Sequence, residues 1–87
     1  MIHVEVLHTA HVEPGRGFEV NFWRRVVKDG SFVQVFFRGE SFVDVTVQDT
    51  GLLPANHVDL SEAAFSQLGL LPEGRISVLI EVLNGAG

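Results

Sequence analysis

Ser41 to Gly74 reads SFVDVTVQDTGLLPANHVDLSEAAFSQLGLLPEG, and this stretch decides the fold. Val43, Val45 and Val47 alternate with Asp44, Thr46 and Gln48, the period-two signature of a strand with one buried face. Asp49-Thr50-Gly51 ends it with turn chemistry. After an irregular segment to Val58, one short helix is predicted near residues 61–69. Ser61 is its N-cap, Ala64, Phe65 and Leu68 form its apolar face, and Gly69 stops it. Pro72 and Gly74 close that connection, and Ile76 to Val82 supplies a last strand.

The same pattern extends outward. Ile2, Val4 and Val6 alternate with His3 and Glu5, and the turn-rich Glu13-Pro14-Gly15-Arg16-Gly17 precedes a second alternation from Phe18 to Phe22. Trp23 to Val27 fits no single period. Lys28-Asp29-Gly30 turns the chain into Phe32 to Phe37, which is apolar on both faces, and Arg38-Gly39-Glu40 turns it back. One short helix among about five strands predicts a small barrel or roll, because a single open sheet leaves one apolar face bare.

Composition narrows the function. The 87 residues carry one core and one domain, 1–87. A hydrophobic content of 46% exceeds what one small core hides and predicts a self-association face. Net charge is −5, and the six Lys and Arg cluster nowhere beyond Arg24-Arg25, which excludes the dense cationic surface of a nucleic-acid binder. No cysteine is present, so disulfides and thiolate metal sites are absent. Met1 leads directly into the alternating segment with no leader and no membrane-spanning run. The expectation is a domain without its own export signal, whose compartment is unspecified and which a larger assembly or a trimmed chain equally accommodates. No cofactor is expected.

The order strand, Asp-x-Gly, irregular loop, Val-Asp-Leu-Ser, short helix, Leu-Gly, Gly, strand resembles the double-psi β-barrels, above all rare lipoprotein A, the barwin proteins and the expansins. Asp49-Thr50-Gly51, His57-Val58-Asp59-Leu60-Ser61, Ala63-Ala64-Phe65, Leu68-Gly69 and Gly74 before Ile76, Val78 and Ile80 carry the resemblance, over roughly the second half of the chain. It implies a mainly β, six-stranded barrel that often presents a polysaccharide groove. In expansins and related endoglucanases the acid of a His-Phe-Asp-like motif is important, which implies a role for Asp59. In rare lipoprotein A relatives that cleave peptidoglycan, the Asp of Asp-Arg-Gly-Pro matters, which implies a role for Asp49. Here Asp49 is followed by Thr-Gly-Leu-Leu-Pro, without the Arg or the adjacent Pro.

Glycan cleavage asks for two carboxylates flanking the scissile bond, one protonated and one ionised. Asp49 and Asp59 are the candidates, with Trp23, His57 and Thr50 as substrate-binding residues beside them. The competing structural reading makes Asp49 a turn former and Asp59 a helix-end acceptor. Trp23 likewise either stacks on a sugar or fills the core. His8 and His11 form an H-x-x-H pair whose rings point to opposite faces of a strand, and His57 stands alone, so no metal site is expected. Phe32, Phe36, Phe37 and Phe42 are the candidate oligomer contact. Two functions follow: a non-catalytic barrel that docks on a protein or on itself, and a module that binds or cleaves cell-wall polysaccharide.

Overall fold

In the computed structural model residues 5–23, 27–39, 41–51, 53–69 and 71–83 are described. Among them run six strands: β1 (Glu5–Glu13), β2 (Glu19–Phe22), β3 (Phe32–Phe37), β4 (Ser41–Thr50), β5 (His57–Ser61) and β6 (Arg75–Val82). They close into a barrel in the order β1, β5, β2, β4, β3, β6. Two neighbouring pairs, β1 with β5 and β2 with β4, are parallel, and the other four are antiparallel. A parallel neighbour cannot be reached by a tight hairpin, so the chain crosses the barrel mouth between these pairs and interlocks its halves.

Strand alternation fills the lumen. Val20, Phe22, Val33, Val35, Val45, Val47, Val58, Leu60, Val78 and Ile80 are all buried. Branched residues suit this site, because their stiff side chains pack on a pleated surface and a small barrel leaves room for side chains alone. Val43, Val45 and Val47 point inward and Asp44 and Gln48 outward, as the alternation predicts.

The helical segment expected over 61–69 is one turn of α-helix, α1 (Glu62–Phe65), followed by turns to Leu68 and a short 3-10 helix (Leu71–Glu73). Ser61 is its N-cap, with Oγ accepting from the Ala64 N–H at 3.3 Å. The same hydroxyl accepts from the Glu19 N–H at 3.2 Å and donates to the Gly17 carbonyl. One buried oxygen therefore ties the helix start to the loop before β2. Gly15 is needed at this junction, since a Cβ there lies 3.1 Å from Ser61 Cβ. Gly39 has a different reason: its φ is +69° and nothing surrounds it, so it serves the turn between β3 and β4. The expected N-terminal alternation from Ile2 to Val4 and the Arg24-Arg25 pair lie outside the described residues.

Candidate functional site

Outward residues of successive strands stand opposite each other, so the barrel wall carries rows of side chains. One row is polar throughout. Arg75 of β6 pairs with His11 of β1, His11 with Asp59 of β5, Asp59 with Asn21 of β2, and Asn21 with Asp49 of β4. Asp49 joins the row because the β2–β4 register shifts between Val20 and Asn21. That irregularity leaves both Gln48 and Asp49 exposed in succession.

The structure thus brings Asp49 and Asp59 onto the same wall with one strand between them. Two strand spacings put their Cα atoms about 10 Å apart. Asp49 Oδ1 accepts from the N–H of Thr50 at 2.8 Å, which keeps Thr50 beside it at the end of β4. Asp59 is not the helix-end acceptor of the structural reading. Ser61 holds that position, and Asp59 remains on β5 with its side chain half-buried on the outer wall.

The Asp59 charge acts on Glu13, which the sequence places only in a turn-rich passage. Burial pushes the Glu13 carboxyl above its ordinary range, and the Asp59 charge, followed by that of Glu19, adds to the rise. A 2.8 Å hydrogen bond from Asn21 Nδ2 to Glu13 Oε1 opposes it. Asn21 Oδ1 is buried with no partner among the described residues, an arrangement that costs about 1–3 kcal/mol.

His57 does not stand alone, which corrects the expectation from sequence. Parallel pairing of β1 with β5 brings it to His11, 46 residues away in the chain, with His11 Nε2 2.8 Å from His57 Nδ1. The rings are inclined by only 14° with centroids 5.0 Å apart. A nitrogen contact this short at that centroid distance means the rings meet edge to edge through a hydrogen bond. His8 faces the other way, as its spacing from His11 predicts. It is buried and accepts from Trp23 Nε1 at 3.0 Å. Trp23 is half-buried and packs against the core. No cluster of three or more His, Asp and Glu able to hold a metal ion occurs among the described residues.

Two of the four candidate phenylalanines, Phe36 and Phe42, occupy a second row. Phe42 of β4 pairs with Phe36 of β3, Phe36 with Leu79 of β6, and Leu79 with Leu7 of β1. Phe42 is 57% exposed and Leu7 62%. Phe32 is also exposed but lies further along β3, opposite Thr46. Phe37 packs against the core, with the Arg38 guanidinium 4.9 Å from its ring centre.

This architecture recurs in solved structures. A mutant expansin of Clavibacter michiganensis in complex with cellohexaose matches with a TM-score of 0.79 and 20% identity, covering 97% of this chain and 53% of that one. The apo expansin of the same organism matches at 0.79 and 21%. The Streptomyces papain inhibitor matches at 0.75 and 18% identity, covering 93% of this chain and 96% of the inhibitor. No family model and no curated protein matches the sequence. The closed six-stranded order and these likenesses define the chain as a double-psi β-barrel. It spans about half the length of the expansin.

Proposed function

We propose that this barrel binds cell-wall polysaccharide along the polar row from His11 through Asp59 and Asn21 to Asp49, with His57 at its edge. The observation that carries the reading is the register: four polar residues stand opposite one another on four adjacent strands. Strands are about 4.8 Å apart, comparable with the repeat of a β-linked sugar chain, so successive side chains meet successive rings. Imidazole, amide and carboxylate groups supply the donors and acceptors that sugar hydroxyls need. The cellohexaose bound to the structurally similar expansin supports the same ligand class.

The reading is one of binding. Asp49 is bonded to its own backbone neighbour and separated from Asp59 by β2, so these two do not form a close carboxylate pair. The Asp59 charge acts instead on Glu13, a carboxyl that burial already pushes above its ordinary range. Co-sedimentation with insoluble cellulose and with peptidoglycan tests the proposal, and mass spectrometry of the supernatant reads any cleavage. Saturable binding without released fragments is expected. Absence of binding to both polymers defeats the reading.

A second reading rests on the apolar row, an exposed stripe across four strands. Its fitting occupant is a second copy of the chain. Asp44 and Glu81 flank the row on one side, and Arg38 flanks it on the other. A two-fold axis along the row reverses the partner's strands and sets the acidic flank of each copy against Arg38 of the other, so charge favours this arrangement. Light scattering at high concentration decides: a strict monomer excludes it.

A further inference from the structure

Beside the polar row, past His57 and toward β6, lies a cleft of about 380 Å³ lined by Thr9, His57, Arg75, Ile76 and Ser77. Its polar side chains come from three strands. Thr9 of β1 stands opposite both His57 of β5 and Ser77 of β6, and Arg75 lies two residues before Ser77 on the same outward face. Among the described residues no carboxylate lines it, although the chain as a whole is acidic. The Arg75 side chain makes no ion pair or hydrogen bond among the described residues. The acidic groups nearest it in the fold flank it without lining it: Glu73 two residues before Arg75, Asp59 two residues after His57 on β5, Glu13 two residues after His11 on β1, and Glu81 further along β6. Arg75 is thus the cationic group of the cleft, with the Thr9 and Ser77 hydroxyls beside it.

We propose that this cleft binds a carboxylate carried by a sugar, so that the protein prefers an acidic glycan over a neutral one. The inference deepens the polysaccharide reading and rests on it. A planar guanidinium fork matches the two oxygens of a carboxylate, and the Thr9 and Ser77 hydroxyls are further donors. His57 completes the set through its contact with His11. When His11 Nε2 donates to His57 Nδ1, the neutral His57 ring carries its own proton on Nε2, the nitrogen directed away from His11. An anion in the cleft selects this tautomer, and a hydroxyl donor selects the opposite one. The histidine pair thus adapts the edge of the site to its ligand without a change of charge.

Isothermal titration of the whole chain in about 0.15 M salt, where charges beyond about 8 Å are largely screened, tests the proposal. Three probes are used: cellohexaose, the corresponding β-1,4-linked glucuronate hexamer, and a glycan hexamer bearing muramic acid with free lactyl carboxylates. The expected result is about tenfold tighter binding of at least one acidic hexamer than of cellohexaose, the scale of a charge-assisted hydrogen bond. Which acidic probe wins identifies the source, a uronate or a lactyl group. Arg75→Gln removes the preference and Arg75→Lys retains part of it. Equal affinity for acidic and neutral hexamers overturns this inference and leaves the polysaccharide reading intact. A preference that survives in Arg75→Gln overturns it too. Failure of all three hexamers to bind removes the polysaccharide reading and this inference with it.

Discussion

The polar row at His11 and the apolar row at Leu7 lie four residues apart on the same strand, yet they present opposite chemistries. Both are built by one device, outward positions aligned by strand register. Their difference is in what the neighbours contribute. At His11 the flanking strands supply Arg75 and Asp59, and at Leu7 the β6 neighbour is Leu79, backed by Phe36 and Phe42. A closed barrel has no sheet edges to protect, so its outer wall is free to carry two unrelated surfaces. One is polar and charged and the other apolar.

The largest effect that separates the rows comes from Ser61. Ser61→Ala removes a helix cap and strands the Glu19 N–H and the Gly17 carbonyl near the polar row, while touching nothing in the apolar row. A loss of roughly 2–4 kcal/mol is expected, read by urea denaturation. Hydrogen exchange should accelerate first at residues 15–19 and 61–65. Uniform acceleration over β3 and β6 would show that the rows do not move independently.

Next is Phe42→Asp, which puts a charge in the apolar row. Folding stability should stay within about 0.5 kcal/mol because Phe42 is exposed. Self-association should weaken by about 2 kcal/mol, the value of burying a large apolar side chain. An unchanged oligomer by sedimentation moves the contact elsewhere. Asp59→Asn tests the polar row. It should reduce cellulose affinity about tenfold, or about 1.4 kcal/mol, with the melting temperature unchanged. A large drop in melting temperature instead would make Asp59 a structural residue.

The smallest expected effect is that of Glu13→Gln. Because the folded chain holds the Glu13 proton to higher pH than the unfolded chain does, it binds more protons between the two titrations. Stability from this group therefore falls as pH rises through that window above the ordinary carboxylate value. Gln keeps an acceptor for Asn21 and removes the charge. At pH 7 the variant should be slightly more stable, within about 1 kcal/mol as for screened surface charges, and the gain should vanish at pH 4. Thermal melts at the two pH values read the sign, and a variant less stable at pH 7 contradicts the coupling of Glu13 to Asp59.

Much of the fold was legible because burial on a strand follows a local period of two. The alternation alone directs Val43, Val45 and Val47 inward, and Ser61 marks the start of the helix, whereas the helix ends at Phe65, before the Gly69 stop that the sequence predicts. The helix is shorter than its apolar spacing predicts, since Ser66 to Leu68 continue as turns. The candidate site was legible only in part. Asp59 and His57 stood out by motif, but Glu13 sat among turn residues and Asn21 carried no signal of its own. Asp59 looked like a helix-end acceptor because it lies two residues before Ser61, whereas its strand position directs it to the wall.

The sequence by itself determined which residues face the lumen and which face out, because alternation, turn residues and caps act within a few residues of each other. Only the tertiary structure decided which outward residues meet. His11 reaches His57, Asn21 reaches both Asp49 and Asp59, and Arg75 joins Thr9 and Ser77 at a cleft through strand pairings that include two parallel ones. Parallel pairing needs a long crossover, and its register is set by how the crossing chains pack rather than by any tight turn. A shift by two residues leaves every side chain on its own face of the wall and still assembles a different set of neighbours.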